Sequence, residues 1–115
     1  MKKDFGSILK KLRLKEGIGI KRLAPVLELN YTYLSKLENN SANPSEDVIY
    51  RVANYFKYDK EELLLAANKI PDDVRRILRD NPREAIEFLR NKFADAKPNR
   101  NERKPNKNYR KSDDN

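Results

Sequence analysis

The side chains between positions 30 and 41 carry the most informative chemistry of this 115-residue chain. Asn30 suits the N-cap of a helix, and Leu34 and Leu37 have the spacing of one buried helical face. The other sides of this helix present the polar residues Tyr31, Thr32, Ser35, Lys36 and Asn39. Hydroxyl, amide and ammonium groups bind partners through hydrogen bonds. The sequence therefore predicts an exposed binding face on a helix over residues 30–39.

Residue types that serve catalysis and metal binding are scarce, because the chain contains no cysteine and no histidine. Their absence excludes disulfides, zinc sites built from thiolate or imidazole, and an imidazole general base. The carboxylate pairs Glu61-Glu62 and Asp72-Asp73 fall at predicted helix N-termini, where the helix dipole stabilises negative charge. We therefore predict no catalytic residue, no metal site, no cofactor and no enzymatic activity.

The balance of charge favours a polyanionic partner. The formal net charge is +8 with a pI near 9.7, and nucleic acid is the first partner class that such a surface suggests. Residues 1–40 hold nine Lys and Arg against four Asp and Glu, so the basic face belongs to the first helices. No apolar run approaches the roughly 20 residues of a membrane span, and no targeting segment is recognisable. The sequence predicts a cytoplasmic protein without a membrane partner.

Helical periodicity predicts an all-α fold. Five helices are expected before residue 70, the first over residues 4–15 and the last three with N-caps at Asn30, Ser45 and Asp59. Pro25 lies inside the second helix and removes a backbone donor, so this helix should tighten or end close to it. No segment shows the alternation of a strand.

The C-terminal part differs in composition. Pro71 and Pro82 each suit a first helical position, and an apolar stripe follows each of them, so residues 71–94 are predicted to form a helical hairpin. This hairpin is expected to extend a dimer interface, to cap the core of the first domain or to dock a second protein. The predicted interface consists of Leu64, Ile70, Val74, Ile77, Leu78, Ile86, Leu89 and Phe93. Residues 95–115 are rich in Asn, Lys and Arg and are predicted to be a disordered basic tail. The predicted domains are 1–70, 71–94 and 95–115.

A short helix, a tight connection and a second helix that starts at a polar cap form the arrangement of a helix-turn-helix. The most characteristic positions are Arg13, Gly17, Leu23-Ala24, Tyr33-Leu34-Ser35, Leu37-Glu38-Asn39 and Pro44-Ser45. Through them, roughly residues 5–67 resemble the Cro/CI-type (XRE-like, lambda-repressor-like) family of bacterial and phage DNA-binding regulators. The resemblance implies a five-helix lambda-repressor-like domain whose residues 30–39 form the recognition helix.

The resemblance also implies roles for individual residues. Tyr31, Thr32 and Lys36 match the base-reading positions. Phosphate contacts are expected from Lys21, Tyr33, Ser35, Asn39, Asn40, Ser41 and Arg13. Arg13 and Glu38 match a pair that joins the first helix to the end of the third, although the residues by themselves equally allow an exposed and weak ion pair.

Three departures from the family pattern affect local geometry. Gly19-Ile20 lacks the usual Gln at the start of the second helix, and Ile20 is expected to pack inward. Glu28 and Asn40 both stand where the family usually has Gly. Asn tolerates the left-handed backbone region better than Glu does, so the turn at Glu28 is expected to be shifted or strained.

The resemblance and the charge together lead to a functional hypothesis. We expect a sequence-specific, double-stranded DNA-binding transcriptional regulator, a repressor or autoregulator, that reads a palindromic operator as a homodimer. The alternative is an antitoxin-like or accessory module whose residues 71–93 bind a partner protein such as a toxin or peptidase.

Overall fold

The computed structural model describes residues 4–94, which form seven helices without a strand. The helices are α1 (Phe5–Glu16), α2 (Ile20–Val26), α3 (Tyr31–Glu38), α4 (Glu46–Phe56), α5 (Lys60–Ala66), α6 (Asp72–Asp80) and α7 (Pro82–Lys92). The predicted all-α fold is confirmed. The tail predicted at 95–115 lies outside the described residues.

The helix starts follow the capping residues that the sequence suggested. Asn30 Oδ1 accepts a hydrogen bond from the backbone of Tyr33 at 2.8 Å at the start of α3. Ser45 and Asp59 cap α4 and α5 in the same way. Each cap satisfies a backbone donor that has no partner inside its helix. Local sequence therefore determines where these helices begin.

The helix ends depend on residues with unusual backbone conformations. α2 ends at Val26, directly after Pro25, which confirms the predicted effect of this proline. Glu28 has a φ of 60° and Asn40 a φ of 61°. Both positions at which the family pattern has Gly therefore lie in the left-handed region that Gly adopts most readily. The strain expected at Glu28 therefore has its source in a positive φ.

The first five helices share one hydrophobic core. Its fully buried larger side chains are Leu9, Leu23, Leu27, Leu34, Leu37, Ile49, Val52 and Leu63. α3 contacts both α1 and α2, while α5 contacts α4 and α1. The predicted recognition helix is thus held by two other helices and by its own buried leucines.

The chain divides into two compact units between Arg75 and Arg76, within α6. The two helices predicted over 71–94 are present and only Asn81 separates them. Neither contains a buried residue, so the apolar surface that a hairpin would share is not covered between them. None of the helices within residues 4–94 has the length and apolar character required to cross a membrane.

Candidate nucleic-acid interface

The outer face of α3 carries the predicted base-reading residues. Tyr31 is 50% exposed, and Thr32 and Lys36 are also exposed, whereas Leu34 and Leu37 on the opposite side are completely buried. Thr32 and Lys36 are four residues apart and therefore lie on the same face of the helix. The polar, exposed surface predicted from the sequence is confirmed.

The predicted phosphate contacts lie around this face with different degrees of exposure. Lys21, Asn39 and Ser41 are exposed, and Ser35 is half-buried. Tyr33 is half-buried against the core, and its hydroxyl lies 3.5 Å from the carbonyl oxygen of Asn43, at the limit of a hydrogen bond. Lys21, Asn39 and Ser41 are therefore accessible to a ligand from solvent, and Ser35 is partly accessible.

Arg13 and Glu38 form a buried ion pair between α1 and the last residue of α3. Arg13 Nε donates to Glu38 Oε2 at 2.6 Å, and Nη2 donates to Oε1 at 2.9 Å. Nη1 donates to the carbonyl oxygen of Ile18 at 3.2 Å. The hydrogen bond with Glu38 raises the pKa of Arg13 above its ordinary value, so the guanidinium remains charged. This two-bond geometry fixes the end of α3 against α1.

The same geometry makes orientation of α3 the main role of Arg13, and its phosphate contact stays a prediction. Arg13 is only 9% exposed, and all three nitrogens of its guanidinium donate to partners inside the domain. Little of the guanidinium is therefore open to a phosphate. Arg13 is a structural residue that orients α3, and the alternative of an exposed, weak pair does not apply.

Asn40 has a structural contact that the sequence did not reveal. Its Oδ1 accepts from the backbone of Gly6, and its Nδ2 donates to Asp4 Oδ1, both at 3.0 Å. A Cβ on Gly6 would lie only 2.6 Å from the carbonyl oxygen of Leu37. The start of α1 therefore approaches the end of α3 closely, and the Asn40 amide bonds to it there. The phosphate contact of Asn40 stays a prediction.

Arg51 on α4 is a second contact that sequence reasoning missed. Its Nη1 donates to the carbonyl oxygen of Leu27 at 2.8 Å and to that of Glu28 at 3.3 Å. These atoms belong to the turn between α2 and α3. The only sequence signal is Asp47, four residues earlier, which suits an ion pair along α4. Periodicity carries no signal for the bonds to the turn.

The predicted dimer or partner surface needs one correction. Leu64 is 3% exposed and belongs to the core, because α5 packs its apolar side against the other helices. Ile70 and Leu78 are half-buried. The remaining predicted residues are all more than 40% exposed, namely Val74, Ile77, Ile86, Leu89 and Phe93. Residues 74–93 therefore present apolar side chains to solvent.

A cluster of acidic side chains suited to a metal ion does not occur among residues 4–94. Charge and hydrogen bonding on α2 and α3 are the chemistry that the described site offers. Such groups suit the phosphates and base edges of a nucleic acid.

Comparison with known proteins agrees with this geometry. A family model described as a helix-turn-helix domain matches residues 6–69, which include α1 to α5 almost completely. No curated protein matches the chain. The match covers α2, the turn and α3, and it confirms the resemblance that the sequence motifs indicated.

Proposed function

The chain belongs to the helix-turn-helix domain family through residues 6–69, and from this premise we propose that it is a sequence-specific transcriptional regulator of double-stranded DNA. In this role α3 enters the major groove, and the protein acts as a repressor or autoregulator. α1 supports α3 from behind through the Arg13–Glu38 pair. The protein acts by binding, without a cofactor and without catalysis.

One observation supports this proposal above the others, the separation of two faces on α3. Leu34, Leu37 and Glu38 are buried, while Tyr31, Thr32 and Lys36 are exposed. A helix with this division can insert its polar side between the strands of B-form DNA without disturbing the core. A-form RNA has a major groove too narrow for the same approach.

The proposal assigns different tasks to two exposed lysines. Lys36 lies about one turn along α3 and donates to guanine O6 or N7, which distinguishes base pairs. Lys21 lies near the start of α2 and neutralises a phosphate, which strengthens binding to any duplex. Tyr31 and Thr32 contact base edges, whereas Ser35, Asn39, Ser41 and Tyr33 hold the backbone.

Selection of bound duplexes from a random pool tests the proposal, followed by titrations of Lys36→Ala and Lys21→Ala. We expect Lys36→Ala to weaken the selected duplex by about 1–3 kcal/mol and to relax base choice. Lys21→Ala should weaken selected and random duplexes alike and reduce the slope of affinity against salt. Lys92→Ala, an equal change of charge on α7, serves as the control.

Two results would contradict this assignment. Recovery of no enriched sequence would remove sequence-specific DNA binding. Equal losses on selected and random duplexes for both lysine variants would remove the division between base reading and phosphate binding.

We further infer that the protein acts as a homodimer on a palindromic operator, with α6 and α7 as the interface. The support is the exposed apolar set on these helices, which includes Ile77, Ile86 and Leu89. Large exposed apolar side chains that cluster on one element are typical of interaction surfaces. A dimer would place two recognition helices about 34 Å apart, one turn of DNA.

The same surface supports a second candidate function, an accessory or antitoxin-like module that binds another protein through 71–93. Light scattering on the full chain and on Ile77→Asp separates the two. A dimer that dissociates in the variant supports the homodimer. A monomeric wild type that retains specific DNA binding would contradict the homodimer and favour a partner of different sequence.

A further inference from the structure

An arginine outside the helix-turn-helix donates hydrogen bonds to the turn inside it. We propose that Arg51 is a positioning residue for α3, which sets the direction of the recognition helix by holding the carbonyl groups of Leu27 and Glu28. This inference rests on the proposed function, since it adds a determinant of base discrimination to that same interface. Arg51 lies on α4, whereas the helix-turn-helix consists of α2, the turn and α3.

The guanidinium of Arg51 is fixed from two sides. Nη1 donates to the carbonyl oxygens of Leu27 at 2.8 Å and Glu28 at 3.3 Å. Nη2 lies 2.6 Å from Asp47 Oδ2, one turn earlier on α4. Since Asp47 holds one nitrogen, the other stays directed at the turn. Arg51 therefore joins α4 to the turn through backbone atoms, whatever side chains the turn carries.

The turn that Arg51 holds is the least regular part of the helix-turn-helix. Leu27 is the C-cap of α2, and Glu28 has a φ of 60°, where its Cβ is close to a neighbouring carbonyl group. Only Leu29 and Asn30 separate Glu28 from the first residue of α3. A rotation at Glu28 is consequently transmitted to α3 through two residues.

Removal of the guanidinium should change the direction of α3 and have little effect on the free energy of unfolding. The Arg51 side chain is 33% exposed, and an open cleft lies beside it. Water can therefore satisfy the freed carbonyl groups, which limits the cost to folding. The buried residues of α3 keep the helix attached to the core, but the turn loses its restraint.

The test uses the full chain and the duplex selected from the random pool. Arg51→Met removes the donors, and Arg51→Lys keeps a single point of donation. Arg76→Met removes the same charge from an exposed arginine of α6. For each protein, the selectivity ratio compares the selected duplex with one that carries a changed base pair under α3. Urea unfolding measures stability, and NMR amide shifts of Leu29 to Tyr31 report on the turn.

We expect Arg51→Met to lower the selectivity ratio about fivefold, the effect of one positioning hydrogen bond, while the urea midpoint changes little. Arg51→Lys should fall between Arg51→Met and the wild type, because an ammonium group does not reproduce the planar fork. Arg76→Met should retain the ratio. If Arg51→Met does not fold, the reduced ratio of Arg51→Lys carries the test.

An unchanged ratio in the folded Arg51 variants would overturn the proposal. If the wild type selects no duplex, the proposed function fails separately, and the amide shifts then decide about Arg51. If the amide shifts of Leu29 to Tyr31 differ from the wild type in Arg51→Met but not in Arg76→Met, they support a positioning role. If they equal the wild-type values in both variants, they overturn it.

Discussion

Helices α4 and α7 are both eleven residues long and both carry apolar residues at helical spacing, but only α4 buries them. Ile49 and Val52 on α4 are completely inaccessible to solvent. Ile86 and Leu89 on α7 are 41% and 44% exposed. The same sequence pattern thus has opposite outcomes within one chain.

The difference shows what periodicity specifies. A stripe of apolar residues determines which side of a helix needs cover, and it contains no information about what supplies that cover. α1 to α5 cover one another. In the second unit the apolar residues remain exposed, which is why an association with a second copy or another protein is the natural proposal for α6 and α7.

The largest expected change in the free energy of unfolding comes from breaking a buried ion pair, and an exposed ion pair provides the comparison. Arg13–Glu38 is buried, whereas Arg75–Asp72 spans 3.7 Å between exposed side chains. Glu38→Ala should lower the free energy of unfolding by about 3–5 kcal/mol, because it leaves a buried charge without its partner. Asp72→Ala should change it by about 0–1 kcal/mol. Urea unfolding of both variants measures the contrast.

Replacement of both partners checks the cause of that loss. Arg13→Met combined with Glu38→Leu removes the unpaired charge and should recover part of the stability. If Glu38→Ala cost no more than Asp72→Ala, the buried pair would not be the anchor of α3 that its geometry indicates.

The next largest change in stability compares the apolar stripes of α4 and α7 directly. Ile49→Ala should cost about 2–5 kcal/mol, since it removes buried methyl groups from a closed core. Leu89→Ala should stay within about 0.5 kcal/mol when unfolding is measured at low protein concentration. A large concentration-independent loss in Leu89→Ala would show that α7 contributes to the fold of the single chain.

Sequence reasoning predicted the parts of this structure that local residues determine. Asn30, Ser45 and Asp59 cap helices as expected, because an N-cap satisfies donors within its own first turn. α2 ends one residue after Pro25, close to where the sequence placed its end. The exposed face of α3 followed from the spacing of Leu34 and Leu37.

Contacts between residues that are far apart in the sequence could not be predicted in this way. Arg51 and Leu27 are 24 positions apart, and Gly6 and Asn40 are 34 apart, so neither contact leaves a periodic signal. The Arg13–Glu38 pair was expected only through family resemblance. Leu64 was assigned to an interface because periodicity cannot distinguish a residue that faces the core from one that faces a partner.

A smaller effect concerns the close approach of α1 to α3. Gly6→Ala should lower stability by about 1–3 kcal/mol, because the added Cβ would lie 2.6 and 2.7 Å from the carbonyl oxygens of Leu37 and Glu38. Gly19→Ala is the matched control, since open space surrounds that position. It should remain within about 0.5 kcal/mol in thermal or urea unfolding. Equal effects at both glycines would mean that α1 can shift without cost.

The smallest effects compare two residues with the same backbone conformation and different side-chain contacts. Glu28 and Asn40 have φ values of 60° and 61°, and Gly relieves the steric cost of that region at either position. The Glu28 side chain is exposed, so Glu28→Gly should stabilise the protein by about 0.5–1 kcal/mol. Asn40→Gly gains the same relief but loses the bonds to Gly6 and Asp4, so its net effect should be a loss of stability. Unfolding midpoints that move in the same direction for both variants would show that the Asn40 amide does not hold α1 against the end of α3.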